Sequence, residues 1–146
     1  MPWTHSQQRR LQTEKGVLAK YFRNKVTWNN PTGNATVDLN TTTNSNSRYT
    51  LRIYLPSDFP NSCPQLAVIY PSVLYNNSGY RMGEISDSDH TYGFRDGYLT
   101  ICHYRPNLWT SDNTLYQVFM KGIIWLEAYE GHKQTGKPLS NYLREM

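Results

Sequence analysis

Residues 49–64, YTLRIYLPSDFPNSCP, decide the fold of this chain. Tyr49, Leu51, Ile53 and Leu55 alternate with Thr50, Arg52 and Tyr54, the period-two pattern of a strand with one buried face. Pro56 ends the strand, because proline offers no donor to the ladder. Pro60 and Pro64 stiffen the turn that follows. Residues 66–70, LAVIY, then form a run apolar enough to be covered on both sides, closed by Pro71. On the N-terminal side, Val26 and Trp28 share one face of a strand within residues 23–28, and Ala35, Val37 and Leu39 form the inward side of another. Residues 29–34, NNPTGN, are dense in turn formers, and the polar residues 41–47 read as a hairpin connection. Four strands linked in this way predict an antiparallel meander sheet.

Helices are expected on either side of it. Residues 4–21 carry Leu11 and Leu18 at helical spacing, with Phe22 next in the series and Thr4 or Ser6 as N-cap. Residues 114–130 carry a continuous stripe of Leu115, Val118, Phe119, Gly122, Ile123, Leu126 and Tyr129, with Ser111 or Asp112 as cap. Gly131 and Gly136 are expected to break this helix, and Pro138 to set off a short helical segment at 139–146. Residues 73–89 read as irregular surface loop. The whole is an α+β plan, a single domain over residues 1–146, with helices packed against the sheet.

Composition narrows the function classes. The chain has 146 residues, enough for a core without staples, and 12 Tyr and 4 Trp supply much of the packing area. Two cysteines make neither a disulfide framework nor a zinc site, and no cofactor is expected. No apolar run approaches the length of a membrane span and no signal-peptide core opens the chain, so the expected location is the cytoplasm. The formal charge of +4 is mild. It is spread along the chain apart from His5, Arg9, Arg10, Lys15 and Lys20, which form either a solvated helix face or a docking face for an acidic partner. No zinc-finger spacing, RNP-like motif or dense basic–aromatic cluster occurs, so nucleic-acid binding is not expected.

The chemistry-bearing stretch is residues 90–109, HTYGFRDGYLTICHYRPNLW. Asp96-Gly97 is a strong turn signal, and residues 98–101 follow as a short extended segment leading to Cys102. A thiol on such an element, braced by aromatics and backed by a helix, suits a nucleophile that must meet another macromolecule. The plain alternative is an inert buried thiol. Cys63, in its proline-rich turn, reads as structural.

Leu55-Pro56-Ser57-Asp58-Phe59-Pro60, with Pro64 beyond, resembles the L-P-x-x-[FY]-P…P signature of ubiquitin-conjugating enzymes, where it joins the third and fourth strands. His90, Gly97-x-Leu99 and Trp109 fit the same pattern. The similarity is closer to the bacterial branch, in Asp96-Gly97-Tyr98-Leu99, Cys102-His103-Tyr104-Arg105-Pro106 and Trp109, and in the tail as Trp125-Leu126, Tyr129-Glu130 and Thr135-Gly136. This resemblance implies a UBC-like fold and an acyl transferase with Cys102 as thioester-forming nucleophile and His90 shaping the active-site loop. It also implies a place in CBASS antiphage defence. The partner would be the C-terminus of a cGAS-like nucleotidyltransferase or a ubiquitin-like carrier, with activation by a separate enzyme or by the partner itself.

The chain departs from the eukaryotic members at the His-Pro-Asn triplet, which stands here as His90-Thr91-Tyr92. The amide credited with holding the oxyanion has no counterpart, and Tyr92, Asn107 or a backbone amide are the candidates in its place. His103 adjoins the thiol, but neighbours in an extended segment point to opposite faces, which disfavours it as a base. Arg105 could meet a carboxylate or serve the turn. A second function class remains, a non-catalytic module of the same fold that only binds its partner.

Overall fold

A computed structural model describes residues 3–29, 35–83, 85–86, 89–101, 103 and 108–143; Cys102 and residues 104–107 lie outside them. The chain runs α1 (His5–Phe22), β1 (Val26–Asn29), β2 (Thr36–Thr42), β3 (Arg48–Tyr54), β4 (Gln65–Tyr70), β5 (Ile85–Ser86), β6 (Thr91–Arg95), β7 (Tyr98–Ile101) and α2 (Leu115–Thr135). Short 3-10 turns, Arg23–Lys25 and Leu139–Asn141, follow the two helices. The architecture is α+β, with an N-terminal helix, one open antiparallel sheet and a C-terminal helix.

The expected meander is present as β1 to β4, and the sheet continues past it. Among the described residues it has seven strands in the order β1-β2-β3-β4-β7-β6-β5, the last only a two-residue edge. Four strands are therefore too few. The additions are the β6–β7 hairpin and its edge, whose sequence Thr91-Tyr92-Gly93-Phe94-Arg95 lacks the apolar alternation that marks β3. Residues 73–83, expected with 84–89 to be irregular surface loop, are likewise more ordered than that. Leu74 and Met82 are buried and joined by a backbone hydrogen bond of 2.8 Å, and Tyr75 bridges Arg81. Two isolated anchors show no periodicity, so local pattern could not reveal them.

Both helix starts are capping boxes, each satisfying amides that have no partner within the helix. Thr4 Oγ1 accepts from the Gln7 amide at 3.1 Å while Gln7 Oε1 accepts from Thr4 N at 2.9 Å. Thr114 and Gln117 repeat the arrangement at α2, so Thr114, rather than Ser111 or Asp112, is the cap. Helix α2 passes through Gly131 and ends at Gly136, whose φ of 77° is the left-handed C-cap conformation suited to glycine.

Helix α2 covers one face of the sheet. Leu115, Val118, Phe119, Trp125 and Leu126 are fully buried against the inward residues Leu39, Leu51, Ile53 and Leu66. At Gly122 the approach is closest: a Cβ there would lie 2.8 Å from Leu66 Cδ2 and 2.9 Å from Leu51 Cδ1. The opposite face is polar, as a one-sided antiparallel sheet permits. Arg52 and Asp38 pair across β3 and β2 at 2.8 Å, and the Arg95 guanidinium sits 4.1 Å above the Tyr54 ring.

Helix α1 is fastened to α2 by charge. Arg10 Nε meets Glu14 Oε2 at 2.8 Å, its other nitrogens donate to the carbonyls of Ser111 and Asn113, and Glu14 Oε1 accepts from Leu115 N at 2.8 Å. Glu14 is 2% exposed, so Arg10 is a structural cation and belongs to no free docking face.

Phe119→Ala should lower the unfolding free energy by about 3–5 kcal/mol, since a large buried side chain leaves a cavity. Ile124→Ala on the exposed side of the same helix should cost less than about 1 kcal/mol. Equal losses in urea denaturation would mean that the buried stripe has been placed on the wrong side.

Candidate functional site

The hairpin that leads to Cys102 is built by its turn. Asp96 and Gly97 have φ of 54° and 82°, the pair of left-handed residues that a tight two-residue connection requires. β6 and β7 then pair Arg95 with Tyr98, Phe94 with Leu99, Gly93 with Thr100 and Thr91 with Ile101, with an irregularity between Thr91 and Gly93. Thr100 Oγ1 donates to the Gly93 carbonyl at 3.1 Å within that irregular stretch. The last pair is Thr91 with Ile101. His90 directly precedes Thr91, and Cys102 directly follows Ile101, one peptide bond away.

His90 holds φ of 56°, a conformation that ordinary L-residues rarely adopt and that needs support from its surroundings. Support comes from α2. Trp125 Nε1 donates to the Asp89 carbonyl at 2.9 Å, and its ring stacks on Tyr129 at 5.6 Å with 6° between planes. The indole is fully buried, so the turn that carries His90 rests on the core of the molecule. Trp109 plays a similar part for the Leu55–Pro60 segment between β3 and β4: its Nε1 donates to the Pro60 carbonyl at 2.9 Å. Gln7 Nε2 grips the same segment through the carbonyls of Ser57 and Phe59, and Phe59 is completely buried. Tyr92, one of the oxyanion candidates, is 45% exposed on β6, whereas Asn107 and Arg105 lie outside the described residues.

His103 is 3% exposed. Its Nε2 lies 2.6 Å from the Pro64 carbonyl, an acceptor only, so this nitrogen carries the proton and donates. Burial lowers the imidazole to about 4, against which the Pro64 bond and the Lys121 charge are smaller influences, and it is neutral at physiological pH. Cys63 Sγ lies 3.9 Å from the same Nε2 and donates to the Pro64 carbonyl at 3.5 Å. A protonated Nε2 engaged with a carbonyl cannot take a proton from that thiol, so the pair is not a nucleophile and base.

The tail of the chain holds residues whose work sequence reasoning did not foresee. The Glu130 carboxylate accepts from Thr43 Oγ1 at 3.0 Å, from Tyr49 Oη at 2.9 Å and from Ser45 Oγ. Glu127 accepts from Asn44 N at 2.8 Å. Burial pushes Glu130 upward, and the hydroxyl donors outweigh it, holding the carboxyl below its ordinary range. Burial, and then the neighbouring Glu130, raise Tyr49. Tyr129 Oη donates to the Tyr75 carbonyl at 2.7 Å and accepts from Tyr75 N at 3.2 Å. Asn77 donates from its backbone N to His132 Nε2 at 3.1 Å and from its side-chain Nδ2 to the Lys133 carbonyl at 2.7 Å. The Trp-Leu-x-x-Tyr-Glu stretch thus ties three separate loops to α2. Among the described residues no group of His, Cys, Asp and Glu is placed to hold a metal ion, and no helix is long and apolar enough to cross a membrane.

The His103 imidazole has a measurable consequence. The unfolded chain, with an ordinary pKa of 6.5, takes up a proton that the folded chain refuses until about pH 4. Stability therefore falls as pH is lowered through that window, by at most about 3 kcal/mol from this group. His103→Gln retains a donor for Pro64 without the titration, so its stability should fall less steeply between pH 6.5 and 4. Parallel urea-midpoint curves for the two proteins would show that the folded state protonates the imidazole freely.

Compared with known proteins, the chain matches no family model, no curated protein and no solved structure.

Proposed function

We propose that this chain is a ubiquitin-conjugating-enzyme-like acyl transferase of UBC-like fold that forms a thioester through Cys102. The reading rests first on the ordered motifs of residues 55–60, 90–109 and 125–136. One structural observation carries it further. The β6–β7 hairpin ends in a Thr91–Ile101 pair flanked in sequence by His90 and Cys102, with the His90 turn hydrogen-bonded to a buried tryptophan. The Leu55–Pro60 stretch joins β3 to β4, the position that the family resemblance implies.

The chemistry follows from the thiol. An activated C-terminal carboxyl of a partner protein is attacked by the Cys102 thiolate. The activating group departs with the electron pair of its bond to the carbonyl carbon, and the thiol proton passes to solvent. A cysteine of ordinary pKa is roughly 3% thiolate at neutral pH, enough for an approach rate set by docking. An amine, or water, then displaces the thiolate from the acyl carbon. His90 orders the loop through its backbone. The partner is the C-terminus of a cGAS-like nucleotidyltransferase, or a ubiquitin-like carrier, in cytoplasmic CBASS defence, with a separate activating enzyme where the partner cannot activate itself. Thr91-Tyr92 standing in place of Pro-Asn favours a second reading, a module of the same fold that binds the partner without chemistry.

In a reconstituted mixture with partner, activating enzyme and ATP, Cys102 should yield an adduct cleaved by thiols and by hydroxylamine. Cys102→Ser should trap an ester that survives thiols, Cys102→Ala should give none, and Cys63→Ala should behave as the parent does. A Cys102→Ala protein that still supports defence in cells would move the assignment to the binding module. His90→Asn tolerates the left-handed backbone and should keep the adduct rate. His90→Val should lose stability by about 1–2 kcal/mol and slow the reaction. Equal slowing by Asn and Val, with Asn stability unchanged, would make the imidazole itself the acting group.

A further inference from the structure

The uncovered face of the sheet holds a concavity of about 480 Å³, within the range of small-molecule sites, and its lining is one-sided in chemistry. Asn40, Thr50 and Tyr70 form one cross-strand row over β2, β3 and β4, and Thr42 pairs with Arg48 in the next row of the same face. Lys25 completes the wall from the turn before β1. No carboxylate lines the space.

The donors are arranged outward. Thr50 Oγ1 donates to Asn40 Oδ1 at 2.7 Å, which occupies the amide oxygen and leaves the Asn40 nitrogen to serve a ligand. Several basic side chains elsewhere on the molecule are engaged: Arg10 with Glu14, Arg52 with Asp38, Lys15 over Trp28 and Arg95 over Tyr54. Among the described residues neither Lys25 nor Arg48 forms an ion pair, although both reach the same concavity. Two like charges converging without a counter-ion raise the local potential, and a multivalent anion relieves it. Tyr70, 54% exposed at the rim, adds a flat apolar ring.

We propose that this concavity binds a small phosphorylated molecule with a planar ring, its phosphates between Lys25 and Arg48 and its ring against Tyr70. The Asn40 amide and the Thr42 hydroxyl supply the neutral donors. The site is chemically separate from the Cys102 hairpin and does not depend on thioester formation.

Isothermal titration with ADP, inorganic pyrophosphate and adenosine tests it. ADP and pyrophosphate should bind and adenosine should not. Lys25→Ala and Arg48→Ala should each weaken both ligands about tenfold or more, since each removes a charge-assisted contact. Tyr70→Ala should weaken ADP alone, and urea midpoints should stay at the parent value because all three side chains are exposed. Absence of binding by ADP and pyrophosphate, or affinities unchanged in the Lys25→Ala/Arg48→Ala protein, would overturn the site. Equal affinity for ADP and pyrophosphate, indifferent to Tyr70→Ala, would overturn the ring contact. Binding confined to a long polyanion such as heparin would reassign the patch to general electrostatic attraction.

Discussion

Helix α2 lies on the sheet at a separation that a glycine sets. With Gly122 facing Leu51 and Leu66, the helix backbone comes so near that any side chain there would have to displace two leucines of the core. This closeness lets Phe119 and Leu126, both fully buried, pack on either side of the glycine, and it fixes the height of every other α2 side chain above the strands. The polar atoms of the same helix then reach loops that a more distant helix would miss. Trp125 and Glu130 reach two different connections, and Tyr129 and His132 together hold a third. A helix read as an apolar stripe is thus also the post to which the irregular parts of the chain are tied.

The N-terminal end of α2 is held differently. Its apolar residues pack, but its position along the sheet is set by the buried Glu14 carboxylate, which accepts the Leu115 amide and is itself neutralised by Arg10. A nearly inaccessible carboxylate is tolerable only when its charge and lone pairs are answered, and here both are. The cation is in consequence committed to the fold. What looked in the sequence like one basic helix face divides into a buried-pair member, Arg10, an aromatic-stacked Lys15 and the exposed Arg9.

The two faces of the sheet carry different tasks. The inward face is apolar and supports α2, and through Trp125 it steadies the turn before His90 and the hairpin that runs to Cys102. The outward face is polar, with its charges partly matched by Arg52 and Asp38 and partly unmatched at Lys25 and Arg48. The proposed acyl-transfer site and the proposed anion site therefore draw on different side chains of one small domain.

The sequence by itself determined the α+β class, β3 and β4 from their apolar pattern, α2 from its stripe and the Asp96-Gly97 turn, and it narrowed the α1 cap to Thr4 or Ser6. It also brought Cys102 and His90 forward as the candidate site, by motif order. These are features that neighbouring residues settle among themselves: a turn needs its own φ values, and a periodicity records which face is buried. Only the tertiary structure decided the partners. Tyr49 and Glu130 are 81 residues apart, and Arg10 and Asn113 are 103 apart, and no local pattern marks either pair. β6 became a strand because β7 offered it a ladder, and Leu74 and Met82 became core because they met across a loop. The burial of His103 at Pro64 belongs to the same class. Alternation along a strand says only that a side chain turns inward, and whether it meets water, a thiol or a carbonyl depends on what the rest of the chain has placed there.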